Sequence, residues 1–267
     1  METQPIHYLP SYKRRDPWFV QQFDDVNQTH FLDAILEFQL PVFYSIFRAN
    51  PERLEPCAVF CDATAPVPIL ITNWQPIAIR LNVTTTAYWC QVIYQLSHEL
   101  GHYFIRQKKP NSDKTMIVRW LEETLCEATS NYLLWYMAEH WSECALSTMN
   151  ATYDRHIREY LSNLMNVYTS SAIQRCTTSE SLRRLEEVCT SERDTRSVER
   201  DLIFQQMRLN PYSAGAFADY PRYVISEEPS QPASRLRIDF SRWLAECEVG
   251  QLEMVRLLAQ IQPNLST

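Results

Sequence analysis

The stretch Gln95-Leu96-Ser97-His98-Glu99-Leu100-Gly101-His102-Tyr103-Phe104 carries two histidines four residues apart with a glutamate between them. On a helix this spacing stacks both imidazoles one turn apart on a single face, where both rings can reach one tetrahedral zinc ion. At about 100° per residue, with His98 at zero, His102 falls near 40°. Trp89, Val92, Ile93, Leu96, Leu100, Tyr103 and Phe104 all fall between about 120° and 240°, so the opposite face is apolar. Gln91 and Gln95 share the histidine side. That layout suits a helix resting on a core with its polar side lining a cleft. Glu99 is rotated to the flank, within reach of a water on the metal but not of the metal itself. Gly101 lowers helix stability, which implies close approach by another backbone.

Two histidines alone leave a zinc site incomplete. The following apolar-periodic segment reads Trp120-Leu121-Glu122-Glu123-Thr124-Leu125-Cys126-Glu127. With Glu123 at zero, Glu127 lies near 40°, while Leu121, Leu125, Ala128 and Tyr132 lie on the far side. Glu122 points about 100° away. The phase selects Glu123 as third ligand and Glu127, one turn later, as a carboxylate that orients a ligand histidine.

HELGH followed by a helix with a glutamate at this spacing resembles the gluzincin metallopeptidases, the thermolysin-like group. The resemblance implies zinc ligation by His98, His102 and Glu123, Glu99 as general base, and support of a histidine by Glu127. Trp120-Leu121-Glu122-Glu123 also looks like the Trp-Leu-x-Glu stretch of zinc aminopeptidases, but their GxMEN motif is absent. HELGH is similar as well to the ImmA/IrrE regulatory metallopeptidases, although no helix-turn-helix accompanies it. A metzincin would carry glycine at 105 and histidine at 108; this chain has Ile105 and Lys108. The likeness covers about residues 77–130.

Upstream, Ala58–Phe60 and Ile69–Thr72 read as short buried strands and Ile77–Val83 as a return strand after an Asn73–Pro76 turn. In zincins an edge strand before the motif helix binds extended peptide, so Ile77, Ala78, Ile79, Arg80 and Leu81 are expected to bind substrate. Thr84, Thr85 and Thr86 offer an N-cap. Thr29–Phe47 reads as a helix that Pro41 should kink or split. Helices are expected at about 86–106, 116–140, 152–168, 180–208 and 236–260, with loops at 170–180 and 227–234. The expected class is α+β and predominantly helical: a zincin-like core of small sheet, HExxH helix and glutamate helix, with a helical C-terminal portion. One domain with two parts, 1–115 and 116–267, follows.

The rest of the composition excludes more than it selects. With three glycines among 267 residues, no phosphate loop or dinucleotide fingerprint can be written. Net charge is −7, and Lys13-Arg14-Arg15 reads as a solvated patch, so no nucleic-acid partner is expected. Neither a signal peptide nor a span-length apolar run is visible, which points to a soluble, cytoplasmic protein without a membrane partner. Eight cysteines without a CxxC pair read as mostly buried thiols.

The expected chemistry is peptide-bond hydrolysis by a zinc-activated water, with one Zn2+ per chain and a peptide or protein as substrate. The oxyanion needs a further donor. Tyr212, in Asn210-Pro211-Tyr212-Ser213-Ala214-Gly215, is the first candidate, followed by Tyr220, Tyr223 and His140. Three other readings use the same residues: a protease specific for one protein partner, a non-catalytic zinc-held interaction protein, and a helical scaffold with an accidental motif.

Overall fold

Short runs of β-branched and aromatic residues make the sheet, and longer 3.6-periodic runs make everything else. The computed structural model describes residues 11–107, 117–165, 170–188, 192–225 and 237–265. Its class is α+β with helix predominant. The chain divides into two compact units, one of Met1–Tyr103 with Ser130–Asn163, the other of Phe104–Thr129 with Leu164–Thr267. The chain passes between the units at 103/104, 129/130 and 163/164, each time inside a helix.

The first unit holds a five-stranded mixed sheet of β1 (Tyr12–Arg15), β2 (Trp18–Gln21), β3 (Cys57–Cys61), β4 (Ile69–Ile71) and β5 (Ile77–Leu81). The strand order is β1-β2-β3-β5-β4. Strands β2, β3 and β5 run parallel, while β1 and β4 pair antiparallel at the two edges. Lys13 and Arg15 are therefore strand residues, and both pair with Asp33. Lys13 and Arg14 are exposed and Arg15 is half-buried, so the basic patch is solvated as expected. Helix α1 (Val26–Phe47) runs on through Pro41 as one segment. The expected split does not occur; Pro41 lies on the exposed face, where water can serve the carbonyl its ring leaves without a donor.

Helix α2 (Trp89–Gln107) follows β5 after a short connection. Its apolar face is the expected one: Val92, Ile93, Leu96, Leu100, Tyr103 and Phe104 are all buried. Each such side chain contributes about 1.5–3 kcal/mol by leaving water. The helix begins three residues later than expected, because the threonines are used otherwise. Thr85 Oγ1 accepts the Ala87 N–H at 3.2 Å, and buried Thr86 donates its hydroxyl to the Gln28 carbonyl at 2.8 Å. Gln95 binds the end of β5 reciprocally: its Oε1 accepts the Asn82 N–H at 2.8 Å, and its Nε2 donates to the Asn82 carbonyl at 3.0 Å. Gln39 of α1 donates to the Ile93 carbonyl at 3.1 Å. Between them these bonds set the register of α2 one turn before His98.

Helix α3 (Arg119–Glu139) has every residue from Thr124 to Leu134 buried. Its interior threonines are satisfied within the helix, Thr124 at the Trp120 carbonyl and Thr129 at the Leu125 carbonyl. The first unit is completed by α4 (Asp154–Leu164), with Ile157 buried.

The second unit is helical: α5 (Ser179–Val188), α6 (Ser197–Leu209), α7 (Gly215–Asp219), α8 (Phe240–Glu246) and α9 (Leu252–Gln260), with a two-stranded ribbon of β6 (Val224–Ile225) and β7 (Arg237–Ile238). Ile203, Phe204, Met207, Phe217, Trp243, Met254, Val255 and Leu258 are buried there. The single helix expected over 180–208 is two, since Glu192 leaves helical backbone at φ −104°, ψ 62°. The one expected over 236–260 is likewise broken, at extended Cys247 and Glu248. The loop expected at 227–234 lies outside the described residues. No disulfide joins the described cysteines, and most are buried. Burial pushes the Cys61 thiol up to about 12. No described helix is long and apolar enough to cross a membrane.

Candidate metal centre

The i, i+4 geometry of α2 brings its two histidines to a common point. His98 is buried and His102 half-buried. Their Nε2 atoms lie 3.3 Å apart, with ring planes at 71°. Ligand atoms of His98, His102 and Glu123 all lie within 4.8 Å of one another, and among the described residues this is the group that could hold a metal ion. Its fit can be tested on the histidine pair. A tetrahedral site with metal–nitrogen bonds of about 2.0–2.1 Å has nitrogens about 3.3–3.4 Å apart along its edge. The imidazoles already stand at that separation. Two neutral nitrogens and one carboxylate oxygen form a donor set suited to a borderline divalent cation, and three protein ligands leave a position over.

No protein-family model, no curated protein and no solved structure matches the chain. The reading of the site therefore rests on its own residues.

Glu99 is 3% exposed, on the same turn of α2 as the histidines. Glu122 and Glu127 flank Glu123 on α3, and both are committed to partners that sequence reasoning did not assign. Tyr220, fully buried, donates its hydroxyl to Glu122 Oε2. Burial first, and Glu122 second, hold that phenol well above its ordinary pKa, so it remains a donor. Arg196, also fully buried, donates from Nη2 to Glu127 Oε1. Burial pushes the Glu127 carboxyl up to about 7, while Arg196, then Arg193 and Arg200, pull it down. Glu127 is thus engaged by an arginine, a partner that helical phase could not reveal. At the start of α3 another glutamate caps the helix: Glu186 Oε1 accepts the Trp120 N–H at 3.2 Å.

The candidate oxyanion donors sit in different local surroundings. Tyr220 is occupied by Glu122. Tyr223 stacks on Trp243 at 5.3 Å, and His140 stacks on Tyr136 and meets Glu143 at 2.9 Å. Tyr212 sits in the 3-10 turn Pro211–Ala214, 55% exposed.

The strand expected to bind substrate lies inside the sheet. Ile77, Ala78, Ile79, Arg80 and Leu81 form β5, but β5 is bonded on one side to β3 and on the other to β4. Its main-chain groups are consumed by the sheet, so it is not an edge. On that side the edge is β4, with Ile69 41% exposed. The short Ile69–Ile71 run looked like core in sequence because three apolar residues carry no sign of which strand ends outermost.

Proposed function

We propose that the protein is a zinc-dependent peptidase in which His98, His102 and Glu123 hold the metal and Glu99 moves the proton. The observation that carries this reading is the 3.3 Å separation of the two histidine Nε2 atoms, in one group with a Glu123 carboxylate oxygen. When bound, zinc supplies the acidity that readies a water for attack and polarises the scissile carbonyl. The chain's own work is positional and protonic. The two imidazoles would hold the metal through ring nitrogens and must be neutral to do so. The Glu99 carboxylate takes a proton from the attacking water and delivers it to the leaving amine nitrogen as the peptide bond breaks. Water attack needs no acyl-enzyme.

A substrate peptide in extended form would add to the outer edge of β4, its main chain bonding to groups there that no described strand takes. This replaces β5 as the proposed substrate strand. Peptides or one protein partner remain the substrate class, and no nucleic acid enters the reading.

Elemental analysis of purified wild type, Glu99→Gln and His98→Ala, with turnover of a mixed peptide library, tests it. One zinc per chain in wild type and Glu99→Gln, none in His98→Ala, and hydrolysis by wild type alone are the expected results. Zinc without hydrolysis by wild type would leave a metal-held interaction protein. Folded wild type without zinc after supplementation would remove the site altogether.

A further inference from the structure

Glu123 stands on α3 between two carboxylates, Glu122 immediately before it and Glu127 one turn after. Each is taken by a side chain distant in sequence: Glu122 by Tyr220, on the 3-10 turn after α7, and Glu127 by Arg196, in the turn entering α6. Glu122 is 4% exposed, and Tyr220, Glu127 and Arg196 are 0% exposed. Stability does not account for the Arg196–Glu127 pair. Burying an ion pair costs most of what the attraction returns, and apolar replacement is commonly neutral or better. The Arg196–Glu127 pair is also incompletely satisfied. Glu127 Oε2 and Arg196 Nε and Nη1 are buried without a hydrogen-bond partner. Directional contacts retained at such cost fix orientation. Together they pin the Glu122–Glu127 turn on both flanks of Glu123, so that α3 can neither rotate about its axis nor slide without breaking a buried bond.

We propose that Tyr220 and Arg196 are positioning residues for the metal centre, locking the α3 turn that presents Glu123. Neither would touch the metal. The inference rests on the zinc reading and gives the C-terminal helices a role, which is to hold the third ligand in place. The histidines are aligned by the periodicity of α2 itself.

The test uses the full chain. Zinc dissociation constants are measured by competition with a chromophoric chelator for wild type, Tyr220→Phe, Arg196→Met, Arg196→Lys, Glu127→Gln and the double variant Glu127→Gln/Arg196→Met. Met207→Ala, at a buried α6 residue that belongs to neither pair, serves as control. Melting of each metal-free protein is recorded alongside, as are the visible bands of the cobalt(II)-loaded forms. Tyr220→Phe and Arg196→Met should each weaken zinc by about 10–100-fold and alter the cobalt bands. Arg196→Lys should recover part of the loss. In the double variant, Arg196→Met should add nothing to Glu127→Gln. Met207→Ala should lower the melting temperature without changing affinity or spectrum. Should Arg196→Met alone not fold, the uncharged double variant carries the test. Zinc bound by wild type but with equal affinity by folded Tyr220→Phe and double variants overturns the positioning role alone. A wild type that binds no zinc overturns the metal reading itself.

Discussion

Replacing Gln95 by methionine tests how the sheet aims the histidine helix. Gln95 is 7% exposed and holds Asn82 by two bonds, at 2.8 and 3.0 Å. Methionine keeps the length and apolar volume of the side chain but removes both bonds. Each bond contributes about 0.5–1.5 kcal/mol net, and an orphaned N–H costs more than a lost bond returns. Asn82 is half-buried, so water replaces part of the loss. Its carbonyl also keeps the weaker contact from Gln91 at 3.4 Å. The sum is about 1–3 kcal/mol of unfolding free energy, or roughly 2–9 °C in melting temperature for a chain of this size. Urea titration followed by far-UV circular dichroism measures it, with unchanged slope. Because Gln95 lies one turn before His98, zinc affinity should fall as well. A midpoint within error of wild type would show that the β5–α2 register is held by apolar packing alone, and the reasoning would fail.

Leu96→Ala, at a fully buried position on the apolar face of α2, should cost about 2–5 kcal/mol, read from the same titration. The metal-free protein should lose stability between about pH 5 and pH 8. Glu127 titrates in the folded state near 7 against an unfolded value of 4.5, so over that window the native state binds more protons than the unfolded one. The stabilisation is complete below the unfolded value and lost as pH rises through the folded one. Urea midpoints across that range should decline in wild type and flatten in Glu127→Gln; equal slopes would count against the assignment.

The histidine pair was legible because it depends on local geometry alone. An i, i+4 spacing on an amphipathic helix puts two rings on one face wherever that helix sits. The phase of Glu123 against the apolar residues of the next helix was legible for the same reason. Pro41 misled, since the sequence does not say which face of α1 meets water. The breaks at Glu192 and at Cys247–Glu248 were hidden because polar, non-glycine residues there follow helical periodicity while their backbones leave it.

The roles of Glu122 and Glu127 divide at this line. Helical phase placed Glu127 beside Glu123 and turned Glu122 away, and both statements describe one helix. Whether a carboxylate meets a histidine, an arginine or a phenol depends on residues 69 to 98 positions away, as Arg196 and Tyr220 show. Strand order is subject to the same limit: β5 directly precedes the histidine helix in sequence, yet β4, earlier in the chain, takes the edge. What the sequence by itself determined is what periodicity and short-range spacing control, namely the histidine and glutamate helices and their faces. What only the tertiary structure decided is partnership. Long-range pairing is selected by the packing of the whole chain, and no local pattern encodes it.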